Sequence, residues 1–161
     1  MPTLDPSRTI NGSFGELHIG GVWQTQIQQV SGKITITRKE IKLAGSRQTG
    51  YKATSTTGDG TIQGFKVTSY WLKVIGAYQR HASSFMPEAT ITLRLNDPEA
   101  YGIEEIELLG CKFWEVPIGY QVDELVQESI PFTFVNHNLR QCMDGSMETW
   151  VSEGQELGNC A

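Results

Sequence analysis

Apolar and polar residues alternate with a period of two in several separate segments of this 161-residue chain. Within residues 33–43, Ile34 and Ile36 share one face while Thr35 and Thr37 share the other. Successive side chains of a strand point to opposite faces, and β-branched residues are enriched in strands. The pattern predicts a strand with one buried face, and it favours a β-rich fold over a helical bundle.

The same alternation recurs further along the chain. Residues 14–21 predict a short strand that ends in a glycine turn, and residues 103–118 predict a longer strand with a bulge at Gly110. Two further strands are predicted at residues 89–96 and 129–136. Their inward-facing side chains are expected to be Ile91, Leu93, Leu95, Ile130, Phe132 and Phe134. At least six strand-like segments are present, so the predicted fold is mainly β.

One segment, residues 68–85, has the apolar spacing of an amphipathic helix. Its core-facing positions are Trp71, Val74, Ile75 and Tyr78. Thr68 or Ser69 can cap the first turn, because a hydroxyl oxygen accepts a hydrogen bond from an exposed amide there. A single helix within a run of strands predicts a β-barrel or sandwich flanked by one α-helix.

The chain length suits one domain with a hydrophobic core. We predict that this domain spans residues 13–140. Residues 1–12 are polar with two prolines and predict an extended N-terminal arm. Residues 141–161 are polar and acidic and predict a C-terminal tail, with one short amphipathic turn around residues 147–151.

The charge and hydropathy patterns argue against two classes of partner. The formal net charge is −5, and no run of Lys and Arg appears. Stable binding to nucleic acid usually requires a basic face, so none is expected. No window of about 18 apolar residues exists, so insertion of the subunit into a membrane is not expected.

Residues 43–60 contain a near match to a phosphate-binding loop. Gly45 and Gly50 have suitable spacing, but Tyr51 occupies the lysine position and Lys52 comes one residue late. Such a loop must also open a helix, whereas strand-and-turn sequence follows here. The stretch instead predicts a long β-hairpin, in which an extended loop of residues 45–60 joins strand 33–43 to a return strand. A loop of that length is usually functional or disordered.

No set of residues forms a catalytic, metal or cofactor site in the sequence, so neither an enzyme nor a cofactor is expected. The histidines and cysteines lack metal-ligand spacing: His18, His81, His137, Cys111 and Cys142. Three neighbouring acids are interpreted as a solvated strand edge: Glu104, Glu105 and Glu107.

Two functions of different classes therefore stay open. The first is a self-assembling structural protein, since an arm, a long hairpin and exposed strand edges are pairing surfaces. The second is a small monomeric β-sandwich that binds carbohydrate or peptide through exposed aromatic side chains. Those side chains would be Trp23, Trp114 and Tyr120.

Four stretches in order resemble a known family: residues 10–17, 43–69, 110–118 and 127–136. The chain resembles the tail tube proteins of contractile-tailed phages and prophages, the XkdM-like core tail proteins, over about residues 9–140. The resemblance implies subunits that join edge to edge into hexameric rings, which stack into a hollow tube inside a contractile sheath. R-type bacteriocin and type VI secretion tubes are related assemblies.

The resemblance also implies partners and a location. The partners would be other copies of the chain, the tail sheath protein, a tube initiator or baseplate, and a terminator protein. DNA would pass through the lumen without specific binding. The subunit would be made in the bacterial host cytoplasm and would act in the virion tail or in a phage-tail-like particle. The residues expected to contact the neighbouring ring or subunit are Gly45, Ser46, Arg47, Gln48, Thr49, Gly50, Tyr51 and Lys52.

Overall fold

The computed structural model describes residues 5–81 and 85–143, and this part of the chain contains eight β-strands and one α-helix. The mainly β fold with a single helix, predicted from the alternation, is confirmed. The strands are β1 (Gly15–Ile19), β2 (Val22–Trp23), β3 (Ile27–Lys42), β4 (Thr49–Phe65), β5 (Glu88–Leu95), β6 (Glu104–Phe113), β7 (Gln127–Phe134) and β8 (Asn136–Gln141). The helix is α1 (Tyr70–Arg80).

The strands form one antiparallel sheet in the order β2-β1-β5-β6-β7-β4-β3, and β8 pairs with β6. The edge strands β2 and β3 are not paired with each other in the described part of the chain. The sheet is therefore open, and the predicted closure into a barrel is not seen in the single chain. An open sheet keeps free edges that a closed barrel would not have.

The core lies on one face of this sheet. Its fully buried side chains are Phe132, Ile62, Ile91, Ile130 and Cys111. Of the side chains predicted to point inward, those on β7 are all buried, whereas on β5 only Ile91 is fully buried. Alternation thus located the core face correctly on both strands.

Helix α1 contributes its apolar side to the core. Trp71 and Ile75 are buried, and the Trp71 ring packs edge-on against Phe113 with 4.8 Å between the ring centroids. The first turn is only weakly capped, since the Tyr70 amide donates to the Thr68 hydroxyl at 3.4 Å. The predicted helical segment extended to residue 85, but the helix ends at Arg80.

Gly110 forms the predicted bulge in β6. Its φ of +67° lies in the left-handed region that favours glycine, and the β5–β6 register shifts between Ala89 and Ile91. Before the bulge β6 pairs with β8, and after it β6 pairs with β7. Strands β7 and β8 are separated only by Val135. The bulge therefore lies where β6 changes from one pairing partner to the next.

The N-terminal segment is held against the loop that follows β5. The Asp97 carboxylate accepts the Asn11 amide at 2.8 Å and the Glu99 amide at 2.9 Å. Arg8 donates to the Glu99 carbonyl at 2.8 Å, and its guanidinium lies 5.1 Å from the centre of the Tyr101 ring. Residues 8–11 of the predicted arm thus make specific contacts with the sheet domain.

Most of the predicted C-terminal tail, including the expected turn at residues 147–151, lies outside the described residues. Residue 141 belongs to β8, a strand that the sequence did not predict. The domain limits given above stay a prediction.

Candidate assembly surface

Strands β3 and β4 form one long hairpin that extends beyond the rest of the sheet. They pair from Ile27 and Gly64 to Lys42 and Thr49. In the part of the chain that the structure describes, only the base of β4, residues 58–65, has a second partner, which is β7. We define residues 34–57 as the distal hairpin. Nine β3 residues lie in it, so at about 3.3 Å per residue it reaches about 30 Å past its base.

The sequence predicted the hairpin correctly but gave its loop the wrong length. The connection is residues 43–48, and residues 49–60 belong to β4 rather than to an extended loop. Glycine and serine in this stretch have the composition of a loop. Its threonines are β-branched, however, and all residues from 49 to 57 except Thr54 pair with β3. The skipped Thr54 marks a bulge beside Thr37 and Arg38.

The structure brings the eight predicted contact residues together at the hairpin tip. Gly45 has a φ of +83°, which favours glycine in this turn. The Ser46 amide donates to the Leu43 carbonyl at 3.2 Å, and the Gln48 amide donates to the Ser46 hydroxyl at 3.2 Å. The remaining four residues, 49–52, begin β4. Since a strand follows Gly50 instead of a helix, this stretch lacks the geometry of a phosphate-binding loop.

Apolar side chains of the distal hairpin are exposed. Ile34 is 51% exposed and Ile36 is 61% exposed, so the prediction of a buried face for this segment is wrong in the single chain. The reason is that, within residues 5–81 and 85–143, no strand other than its own partner pairs with the hairpin beyond its base. An isolated two-stranded hairpin is marginally stable in water, and exposed apolar residues on a free edge mark an interaction surface. These side chains therefore point to a partner.

Polar groups stabilise the hairpin locally. The Arg38 guanidinium lies 4.9 Å from the centre of the Tyr51 ring, on the same face of the hairpin. At the base, Lys33 forms an exposed ion pair with Asp59 at 3.9 Å. Exposed pairs of this kind contribute at most about 1 kcal/mol each. The distal hairpin is therefore held mainly by its backbone ladder.

An open cleft of about 1320 Å³ lies between the hairpin base and strands β6 and β8. Its lining includes apolar side chains that continue the core, among them Ile34, Leu93, Ile106 and Phe134. It also includes Glu104, Glu105 and Glu107, which are partly buried rather than lying on a fully solvated edge. Glu107 is 3.8 Å from Arg140 of β8. The cleft thus combines an apolar floor with three acidic side chains and the two basic side chains of Lys33 and Arg140.

Sequence reasoning missed a second exposed apolar segment, residues 114–126. It was assigned in part to a strand, but β6 ends at Phe113. Exposed large side chains here are Trp114, Ile118, Tyr120, Val122 and Leu125. The run of apolar residues after a strand pattern resembled a continued strand, and no periodic signal separates the two. Within it, the Trp114 indole N–H donates to the Thr133 hydroxyl at 2.7 Å.

The aromatic cluster expected of a carbohydrate- or peptide-binding module is not assembled. Trp23 lies on β2, at one end of the sheet order, whereas Trp114 contacts β7 near the other end. Tyr120 lies in the exposed segment after β6. Among the described residues, ring contacts join other aromatic side chains but none of these three.

The titratable groups show no arrangement for catalysis in residues 5–81 and 85–143. Burial raises the pKa of Cys111 to about 11, so its thiol is protonated and unreactive at neutral pH. His18 lies beside Glu16 at 3.3 Å, and no group of three His, Cys, Asp or Glu side chains there could hold a metal ion. None of the helices in this part of the chain has the length and apolar character needed to cross a membrane.

Comparison with known proteins places this fold in a family. A family model described as "Phage tail tube protein" matches residues 2–140. The chain is 31% identical over 134 residues to the phage-like element PBSX protein XkdM of Bacillus subtilis strain 168, and the match covers 81% of this chain and 90% of that protein. The resemblance to XkdM-like proteins is thereby confirmed.

Two solved structures share the fold at low sequence identity. A chain of the sheath-tube complex of the extracellular contractile injection system PVC, in its extended state, matches with a TM-score of 0.65 and 9% identity. That match covers 86% of this chain and 99% of the other. A chain of the anti-feeding prophage cap, a tube-terminating cap, matches with a TM-score of 0.66 and 10% identity, covering 88% and 95%.

These matches agree with the geometry of the candidate surface, which offers strand edges and an exposed hairpin instead of a reaction centre. The family is one of structural proteins, so the chain is a structural protein and not an enzyme. The chain belongs to the phage tail tube protein family.

Proposed function

We propose that the chain is the structural subunit of a phage-like contractile tail tube, in which hexameric rings stack into a hollow conduit inside a sheath. The observation that carries the proposal is the distal hairpin, whose strands pair only with each other while exposing Ile34 and Ile36. A chain that functioned alone would gain nothing from such a segment. An assembling chain can bury it against other copies.

Two kinds of contact follow from the free edges. Among the described residues, strand β3 is the edge of the sheet over its whole length, Ile27–Lys42, and strand β8 pairs only with β6. Edge-to-edge pairing with another copy would satisfy the open backbone groups and join neighbouring sheets within a ring. The hairpin tip, residues 45–52, would contact the adjacent ring because it reaches well beyond the sheet domain.

The remaining partners follow from the family and from the solved assemblies. The sheath-tube complex and the tube-terminating cap support contacts with a sheath protein and a terminator, and a tube must also start on an initiator or baseplate. The chain's place would be the tail of a virion or phage-tail-like particle, after synthesis in the host cytoplasm. Its net charge of −5 suits a lumen through which DNA passes without binding.

The proposal is tested by shortening the hairpin. Because Ile36 and Thr56 are paired in register, residues 37–55 can be replaced by Asn-Gly, which forms a two-residue hairpin turn. The sheet domain should keep its melting temperature to within a few degrees, as the removed residues do not pack on the core. Stacked tubes should be lost in negative-stain electron microscopy, while wild-type protein forms tubes.

A second variant distinguishes the contribution of the hairpin tip to stacking from that of the paired strands of the distal hairpin. Replacing only residues 43–48 by Asn-Gly keeps the Lys42–Thr49 pair and removes half of the predicted contact residues. Loss of stacking in both variants would indicate a contact at the hairpin tip. Loss of stacking in the longer deletion alone would indicate a contact along the paired strands of the distal hairpin. Normal tubes from both variants would contradict the role of the hairpin. The absence of rings and tubes from wild-type chain, alone or with its sheath and initiator, would contradict the proposed function.

A further inference from the structure

We propose that the distal hairpin of one copy docks along the open cleft of a second copy, with its basic side chains beside Glu104, Glu105 and Glu107. The proposal rests on the proposed function, and it names the surface that receives the hairpin. It also makes assembly sensitive to ionic strength.

Charge is strongly separated along this chain. The distal hairpin carries five of the 13 Lys and Arg residues but only one of the 18 Asp and Glu residues. Its formal charge is therefore +4, and the rest of the chain carries −9. Two copies are complementary when the hairpin of one faces the body of the other, because opposite potentials attract and orient the partners.

Two hairpin lysines are placed against each other in the single chain. Lys39 of β3 and Lys52 of β4 are directly opposite in the ladder, and both are exposed. Like charges at directly opposed positions destabilise a strand pair. Neither lysine takes part in an ion pair among the described residues. An acidic surface against this pair would turn an unfavourable arrangement into a favourable one.

The cleft has the complementary chemistry. Its three glutamates lie on β6, and neither Glu104 nor Glu105 is in an ion pair in the described part of the chain. Its apolar floor includes Leu93 and Ile106, which pack against the core and are only partly buried in the described part of the chain. This floor can receive an apolar hairpin side chain such as Ile41, which is 43% exposed and lies on the same face of β3 as Lys39. Burial of apolar surface would give affinity, and the charges would give register and orientation.

The occupant is a second copy rather than a nucleic acid. A basic two-stranded ribbon could by itself contact phosphates. The body that carries this ribbon has a formal charge of −9, however, and repels a polyanion over distances of about 8 Å at physiological salt. A second copy supplies an acidic surface and an apolar floor in one place, and it is present wherever the chain assembles.

The experiment reverses charges on the hairpin, on the cleft or on both. The measured quantity is the protein concentration at which rings and tubes form, determined by sedimentation and negative-stain electron microscopy. The hairpin variant is K39E/K52E and the cleft variant is E104K/E105K. The combined variant carries all four changes. The matched control for the hairpin variant, K73E/R80E, makes the same change in net charge as K39E/K52E on exposed positions of α1. A neutral cleft variant, E104Q/E105Q, repeats the test if the reversed cleft variant does not fold.

For wild-type protein, the assembly concentration should rise about tenfold or more from about 50 mM to about 500 mM salt. Each reversed variant should need at least about tenfold more protein than wild type, and the combined variant should return to within about threefold of it. The control should behave as wild type. If E104K/E105K does not fold, E104Q/E105Q must raise the assembly concentration at low salt and flatten its salt dependence.

Four results would overturn the proposal. Tubes from wild type with unchanged assembly of either charge variant would refute the docking surface while leaving the tube function intact. A combined variant no better than the two separate ones would show that the two surfaces do not meet. Retention of a short DNA duplex by wild type but not by K39E/K52E, at physiological salt, would assign the hairpin to nucleic acid. A chain that stays monomeric with its partners would refute both this inference and the proposed function.

Discussion

Gly60 lies on β4, and neighbouring groups leave no room for a side chain on its α-carbon. A β-carbon there would overlap the Ser31 carbonyl oxygen and the ring of Phe132, which is fully buried. The carbonyl is backbone and the ring is packed, so neither can move aside at low cost. The Gly-Asp-Gly stretch at residues 58–60, which the sequence analysis assigned to an extended loop, is instead a place where aromatic rings lie over a strand.

We therefore expect Gly60→Ala to lower the free energy of unfolding by about 2–3 kcal/mol, as overpacking of a core does. Urea denaturation of the purified protein measures this change. Gly50→Ala is the matched control on the same strand, because the nearest atom to its added β-carbon is the Ile41 carbonyl oxygen at 3.9 Å. Equal stability of the two variants would contradict this view of the glycine.

Glu128 makes the stability of the sheet dependent on pH. It is 8% exposed, burial raises the pKa of its carboxyl above the usual 4.5, and the charge of Lys66 offsets part of the rise. The folded chain therefore holds this proton more tightly than the unfolded chain does. Stability is highest below the usual glutamate pKa, and part of it is lost as pH rises through the raised value.

Glu128→Gln should remove this loss, because an amide stays neutral. The variant should gain stability relative to wild type as pH rises from about 4 to about 7. Thermal unfolding across that range measures the effect, and Glu115→Gln, at an exposed position, is the control. A constant difference between wild type and Glu128→Gln over the range would contradict the predicted titration.

At the scale of elements, the hairpin has two parts with different support. The base of β4 is held between β3 and β7, whereas residues 49–57 pair with β3 alone. Amide hydrogen exchange reports such differences, since segments with few packed neighbours open locally. In unassembled protein, the amides of the distal hairpin should exchange faster than those of residues 58–65.

Assembly should reverse this difference. Exchange measured by mass spectrometry should slow in the distal hairpin when rings or tubes form, because docking covers its edges and its apolar side chains. Peptides from α1 serve as the internal control for the state of the core. A distal hairpin that is equally protected before and after assembly would show that it is not a contact surface.

The sequence predicted elements best where one face of a strand packs on the core or where glycine interrupts a strand pattern. Residues 129–136 alternate cleanly because β7 has one buried face, and Gly110 was recognised as a bulge because glycine interrupts a strand pattern. Residues 49–57 have the composition of a loop, because β3 is their only pairing partner in the described part of the chain and small polar residues suffice for that pairing. Strand β8 was missed because it is polar and mostly exposed.

At the scale of the whole molecule, the sequence established the class of fold but did not reveal the candidate assembly surface. The net charge of −5 and the lack of a run of Lys and Arg argued against a basic face. The separation into a basic hairpin and an acidic body became visible once the limits of the hairpin were known. The cleft joins strands that are far apart in the chain, β3 and β8, so no local pattern reveals it. Residue chemistry alone left two classes of function open, a self-assembling structural protein and a monomeric binding module. The family resemblance favoured the first.

The order of the strands has a consequence for synthesis on the ribosome. Strands β3 and β4 are neighbours in the chain and can pair as soon as both have emerged. The base of β4 joins the rest of the sheet through β7, which ends at Phe134. A nascent or truncated product therefore carries a hairpin without an anchored base. We expect incomplete chains to be unable to present the hairpin in a fixed direction, so that growing particles take up only finished subunits.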